Sequence, residues 1–207
     1  MDSAEFFSSH FDAIPAMGIF RSQTPDETIR LCTAAWDAGI GLVEIPVQSR
    51  DALPALEAAI LEGQRRGRIV GAGTITAAAQ LDEVVSLGAQ FTVSPGLDED
   101  VIARSAQLGV PHLPGVATAT EITRALRSGL SWLKAFPAAQ LGPAWISAQL
   151  APFPQIRFVA TGGINAENAA AFLAAGCSAV AMGSAFSGPA ALRSLDFLTA
   201  DGGAHAH

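Results

Sequence analysis

Lys134 is the only lysine in the 207-residue chain; the other 11 of its 12 Lys/Arg positions are arginine. It stands in "SWLKAF" (131–136), an apolar run where a cation is costly. Strand alternation would put Trp132, Lys134 and Phe136 on one face. A second charge sits in a similar setting, in "GLVEIPV" (41–47). There Val43, Ile45 and Val47 share the face suited to packing on helices, which turns Leu42, Glu44 and Pro46 inward. Two readings of a buried amine beside a buried carboxylate stand open. One is a structural ion pair, of uncertain net stability. Arginine would serve a pair as well or better. The other uses what arginine lacks, a primary amine that sheds its proton when desolvated and attacks a ketone. The resulting iminium is an electron sink beside the bond to be broken, and a nearby carboxylate can move protons. A chain-wide preference for arginine explains why other lysines are missing; it does not explain why Lys134 remains.

Such residues need elements to aim them. One signal repeats: a helical stretch ends in a small residue plus Gly, then a short apolar strand begins. Examples are "DAG-IGLVEIPV", "SLG-AQFTVSP", "QLG-VPHLPG", "RSG-LSWLKAF" and "AAG-CSAVAMG". Glycine ends helices because it adopts the left-handed conformation cheaply. The pattern predicts strands near 14–20, 42–47, 69–73, 91–94, 110–113, 131–136, 156–160 and 178–182. It predicts helices near 25–38, 51–66, 77–87, 98–108, 119–128, 143–151, 166–175 and 189–199. Thr24-Pro25-Asp26-Glu27, Asp98, Thr118 with Glu121, and Asn165 are helix-start signals. Eight strand–helix units make an α/β chain with a parallel sheet. The expected architecture is a single (β/α)8 TIM barrel over 1–207, with a short N-terminal helical segment and a disordered tail at 201–207. An open doubly wound sheet is the structural alternative. A barrel carries its site at the C-terminal strand ends, and alternate strands share an interior layer. The second and sixth strands would then set Glu44 and Lys134 in one layer.

The remaining strand ends suit a phosphorylated acid. Arg21 follows the first strand and can fork onto a carboxylate or phosphate; the alternative is an exposed loop arginine. "GAGT" after the third strand offers glycines for close backbone approach and the hydroxyl of Thr74, unless it is only a barrel corner. Pro95 and Pro114 stiffen the turns after the fourth and fifth strands. "ATGGIN" and "AMGSAF" end the last two strands, the usual phosphate position of such barrels. Gly162, Gly163, Gly183 and Ser184 supply donors there, or else form tight turns without a ligand.

Composition removes other classes. The net charge is -7 and the pI near 4.9, which argues against nucleic acid or an anionic membrane as partner. No apolar run approaches a membrane span, and the N-terminus has no signal-peptide pattern. Cys32 and Cys177 lack metal or disulfide spacing, so the expectation is buried free thiols in a cytoplasmic protein. The histidines of the "DGGAHAH" tail are expected to be solvated.

Together "GLVEI", "GAGT", "SPG", "PG", "LKAFPA", "ATGGIN" and "GSA" resemble the 2-keto-3-deoxy-6-phosphogluconate (KDPG) / 4-hydroxy-2-oxoglutarate (KHG) aldolase family, over roughly residues 12–190. The resemblance implies a homotrimer of (β/α)8 barrels without metal or cofactor. It implies cleavage of KDPG to pyruvate and glyceraldehyde 3-phosphate by a Schiff base. Main alternatives are the 6-phosphogalactonate epimer, KHG, or a non-catalytic phosphate-binding barrel. By resemblance Lys134 forms the imine and Glu44 is the acid/base. Thr74 meets the pyruvoyl carboxylate, Pro95 and Phe136 line the pocket, and Gly162, Gly163, Gly183 and Ser184 hold phosphate. Two departures stand out. Gln48 occupies a position where many members carry arginine, with Arg21 available to replace that charge, and Ala139 replaces the glutamate of "FPAE". "EIP" with Gln48 looks like the galactonate branch, whereas the threonine of "ATGGIN" looks like the gluconate branch.

Overall fold

The computed structural model describes residues 2–183. Ser184, the helix expected at 189–199 and the tail at 201–207 lie outside the described residues. The chain order is α1 (Ser3–Phe11), β1 (Ala16–Ile19), α2 (Pro25–Asp37), β2 (Leu42–Pro46), α3 (Leu53–Arg66), β3 (Ile69–Gly73), α4 (Ala78–Ser86), β4 (Thr92–Val93) and α5 (Glu99–Leu108). Then come β5 (His112–Leu113), β6 (Gly115–Val116), α6 (Ala119–Arg127), β7 (Trp132–Ala135), α7 (Ala138–Leu141), α8 (Pro143–Leu150), β8 (Arg157–Thr161), α9 (Ala169–Ala174) and β9 (Ala179–Met182).

Every strand pairing is parallel, and the sheet runs β5-β4-β3-β2-β1-β9-β8-β7-β6. Its two ends, β5 and β6, flank Pro114 in the chain. They are halves of one strand, so the sheet closes on itself as a barrel rather than lying open. Proline has no N–H to give a ladder, which splits the pairing at that point. Its carbonyl still accepts from the Lys134 N–H at 2.8 Å. Pro114 was expected in a turn after the fifth strand; instead it lies within that strand. The expected sixth strand is accordingly β7.

The capping signals act as read at three helices. Thr24, Asp98 and Thr118 accept from the N–H groups of Glu27, Val101 and Glu121. Asn165 differs: its Oδ1 takes the N–H groups of Glu167 and Asn168, closing a turn, and α9 starts only at Ala169. The short α7 was not expected; Gly142 follows it.

Apolar packing falls into two shells. Outward residues such as Val43, Ile45 and Val70 pack with Leu56, Ile60 and others from the helices. Inward residues Met17, Leu42, Phe91, Leu113 and Trp132 pack with Phe6, Phe7 and Phe11 of α1. Trp132 and Leu42 open their strands, so α1 plugs the N-terminal end of the barrel. The Phe11 and Trp132 rings stack at 5.2 Å, and Phe7 meets Phe91 edge-on at 6.0 Å. The indole N–H of Trp132 donates to Ser8 Oγ at 3.2 Å. No helix among the described residues is long and apolar enough to cross a membrane. Both cysteines are free, and burial pushes each thiol up to about 12.

Candidate active site

β2 and β7 deliver the two charges as alternation requires. Leu42 and Trp132 face the inner core, so Glu44 and Lys134, two residues further along, face the same interior nearer the C-terminal mouth. Glu44 is 1% exposed and Lys134 4% exposed. They couple through space without a direct ion pair. Burial drives the Lys134 pKa down, opposed by the Glu44 charge and reinforced by Arg21. Burial drives the Glu44 pKa up, opposed by Lys134 and then Arg21. Desolvation is the leading cause at both, so the pocket favours a neutral amine beside a carboxyl ready to exchange a proton. Glu44 Oε2 is buried without a hydrogen-bond partner, which keeps one oxygen uncommitted.

The glycines of "GAGT" make room for side chains of the barrel itself. A Cβ at Gly71 would run into the Phe91 ring, and one at Gly73 would overlap the Glu44 carboxylate. Gly73 therefore makes the space in which Glu44 lies. The next residue, Thr74, has φ 62, a left-handed conformation that strains a β-branched side chain. Half-buried, it sits where β3 ends and where Glu44 lies.

Phe136 joins two parts of the mouth. Its ring centroid is 4.9 Å from Lys134 Nζ, and it would contact a Cβ at Gly162 at 3.0 Å. Gly162 and Gly163 have φ 93 and 73, values that favour glycine after β8. Ala139 packs over Gly163, and the Ala139 N–H donates to the Gly162 carbonyl at 3.0 Å. Gly183 follows β9 beside β1, where a Cβ would come 2.7 Å from the Ile19 carbonyl oxygen. Pro95 is half-buried two residues beyond the β4 end, and Arg21 is exposed after β1, its field reaching both Glu44 and Lys134. The geometry thus brings together Arg21, Glu44, Thr74, Pro95, Lys134, Phe136, Gly162, Gly163 and Gly183 at the C-terminal side of the barrel strands. Gln48 is exposed, and it lines a cavity of about 240 Å³ with Ser22, Gln23 and Asp51 beside this mouth.

Some features escaped the sequence. The contact between Gly73 and Glu44 joins residues 29 apart in numbering, and only the "G" of "GAGT" hinted at it. Gln80, Ser94 and His112 grip the Thr74 turn, and nothing in their spacing signals this.

A closed parallel barrel with an inward, desolvated amine and carboxyl group at its C-terminal mouth has the layout of a (β/α)8 enzyme. The family model for KDPG and KHG aldolase matches residues 8–200, and the chain belongs to that family. It is an enzyme, a carbon–carbon lyase of the aldolase type. Among similar proteins is the 2-dehydro-3-deoxy-6-phosphogalactonate aldolase of Escherichia coli K12. It is 37% identical over 175 residues, which cover 83% of each chain. The solved 4-hydroxy-2-oxoglutarate / 2-dehydro-3-deoxyphosphogluconate aldolase from TTHB1 superposes with TM-score 0.83 at 32% identity, covering 92% of this chain and 97% of that one. The KDPG aldolase of Legionella pneumophila, solved with pyruvate captured as a covalent carbinolamine, has TM-score 0.80 at 28% identity, covering 93% and 96%.

Proposed function

We propose that the protein is a class I aldolase that cleaves a 2-keto-3-deoxy-6-phospho sugar acid, KDPG in the first instance, to pyruvate and glyceraldehyde 3-phosphate. The observation that carries this reading is the desolvated Lys134–Glu44 pair, in which burial favours the neutral amine. The neutral Lys134 amine attacks the C2 ketone to give a carbinolamine; the protonated Glu44 carboxyl gives its proton to the departing hydroxyl, so that water leaves and the iminium faces a now ionised Glu44. Ionised Glu44 then takes the proton of the C4 hydroxyl. The C3–C4 bond breaks, its electrons flow into the iminium to form an enamine, and the phosphorylated aldehyde leaves. Glu44 returns that proton to C3, then takes one from the water that hydrolyses the resulting iminium, which releases pyruvate and restores the amine. Thr74 receives the carboxylate end, Pro95 and Phe136 wall the pocket, and the Gly162–Gly163 and Gly183 turns, with Ser184, hold the phosphate. The carbinolamine in the Legionella relative supports the covalent route.

The galactonate epimer is a second reading with its own support. The E. coli relative acts under that name, and Arg21 projects its charge onto the Glu44–Lys134 pair while Gln48 brings none. The buried Thr161, whose Oγ1 donates to the Val159 carbonyl at 3.4 Å, stands at the mouth end of β8 and supports the gluconate reading. Homotrimeric assembly and a cytoplasmic setting accompany the family reading. The test is borohydride reduction in the presence of pyruvate, mapped by mass spectrometry, followed by rates on both epimers. Pyruvate fixed to Lys134 is expected, with faster KDPG turnover. No adduct at saturating pyruvate contradicts the covalent route, and a faster galactonate rate selects the second epimer.

A further inference from the structure

The strained turn at Thr74 is gripped from two sides by side chains that do not reach the reacting atoms. On one side, Gln80 Nε2 donates to the carbonyls of Thr74 at 3.2 Å and Val47 at 2.7 Å, while its Oε1 accepts from the Thr76 N–H at 2.9 Å. Gln80 therefore ties the loop after β3 to the end of β2, the strand that carries Glu44. On the other side, the Ser94 hydroxyl donates to the Ile75 carbonyl at 2.5 Å. That commits its one proton, so at 3.3 Å it accepts from His112 Nε2–H. His112 Nδ1 is then the acceptor for the Thr92 hydroxyl at 2.9 Å. The chain runs in one direction: Thr92 O–H to His112, His112 N–H to Ser94, Ser94 O–H to the Ile75 carbonyl. Such a chain strengthens each of its bonds. Thr92, Ser94 and His112 are all buried. Ser94 also immediately precedes Pro95, the wall residue at the β4 end.

A non-glycine residue at φ 62 persists only where its surroundings over-determine it. We infer that Gln80 and the Ser94–His112 pair are positioning residues that hold Thr74 in its left-handed conformation and so set the affinity of the site for the carboxylate end of a 2-oxo acid. The inference rests on the proposed function, since it needs a keto acid to meet Thr74. His112 suits the task as a neutral ring: burial lowers its pKa to about 4, so the polarity of the chain is constant across the neutral range.

The test measures the pyruvate concentration giving half-maximal borohydride labelling of Lys134, together with KM and kcat for KDPG. Gln80→Leu and Ser94→Ala are each expected to raise half-saturating pyruvate and KM about tenfold, with maximal labelling and kcat changed far less. His112→Leu should behave like Ser94→Ala. His112→Gln offers a donor and an acceptor and should restore affinity. Gln80 is only part-buried, so its variant keeps the test available if a core substitution fails to fold. Unchanged half-saturation in both Gln80→Leu and Ser94→Ala, with wild type labelled normally, overturns the inference alone. A fall in kcat at constant half-saturation overturns it too. Absence of any wild-type adduct removes the aldolase reading and this inference with it.

Discussion

The two ends of the barrel interior use the same strands for opposite purposes. On β7, Trp132 faces the N-terminal layer and Lys134 the C-terminal one; on β2, Leu42 and Glu44 divide in the same way. Each pair is separated by about 7 Å of strand. The lower layer is apolar, aromatic and closed by α1. The upper layer holds an amine and a carboxyl group, both nearly inaccessible. The difference teaches where reactivity comes from. A charge this close to an open N-terminal end would be solvated and keep its ordinary pKa. With α1 and its phenylalanines in place, burial is the leading cause of the shifts at both Glu44 and Lys134.

The sharpest way to break this comparison is at the upper layer. Lys134→Arg sets opposite Glu44 a cation that stays protonated at all relevant pH. The expected result is a folded protein with KDPG cleavage at background and no pyruvate adduct. An active arginine variant would show that charge, not a neutral amine, is what the layer provides. Next is Glu44→Gln, which fits the space under Gly73 and cannot take a proton. A fall in kcat of about 10²- to 10⁴-fold is expected, with thermal stability at or above wild type, because a buried carboxylate is removed. Retained kcat would assign the proton transfers elsewhere.

At the lower layer the effects move from rate to stability. Phe7 is fully buried between Phe91, Phe11 and Trp132. Phe7→Ala should cost about 3–5 kcal/mol in denaturant unfolding. In the fraction that stays folded, the acid side of the rate profile should move to higher pH as water entering from below returns the Lys134 pKa toward its ordinary value. A destabilised variant with an unshifted profile would separate the plug from the amine.

Much of this architecture was legible before any coordinates. Glycine stops and period-two alternation located the strands and gave the inward direction of Glu44 and Lys134, because a strand side chain has only two faces to choose from. The N-caps at Thr24, Asp98 and Thr118 were legible for the same local reason. What escaped was non-local. The break at Pro114 depends on which neighbour its missing N–H would have served. The fit of Glu44 over Gly73 depends on strand register. That Phe91 and Glu44 fill the space over the "GAGT" glycines was not legible, because a lone sequence cannot say whose side chain takes the place of an absent Cβ. The aromatic spacing of α1, with Phe6, Phe7 and Phe11, could suggest an apolar face but not the barrel end it closes.

A milder test lies at the side of the barrel, midway between the layers in character. His112 is buried and held neutral by desolvation, with the Asp98 charge only partly opposing. Its folded pKa of about 4 lies below the ordinary 6.5. The unfolded chain therefore binds more protons between those values. Stability from this group is complete above pH 6.5 and is lost as pH falls toward 4, by about 3 kcal/mol in all. His112→Gln should flatten that part of the stability curve, read as urea midpoints at pH 7 and pH 4.5. An equal acid loss in the variant would place the titration on other groups.

The smallest expected effect probes how finely α1 is seated. The Trp132 indole N–H and Ser8 Oγ form a part-buried bond between β7 and the plug. Trp132→Phe removes the donor and keeps an aromatic ring, so the loss should be about 1 kcal/mol, or roughly 2–4 °C in Tm. Ser8→Ala leaves the N–H unpaired, which costs more than its small side chain suggests. The double variant should therefore lose less than the two singles together, by about 1 kcal/mol of coupling. Pyruvate labelling of Lys134 should be unchanged in Ser8→Ala, since the aromatic plug still excludes water. Additive losses would mean that the bond contributes nothing and that stacking alone seats the helix. Weakened labelling would mean that the lower layer transmits more than dryness to the amine two residues above it.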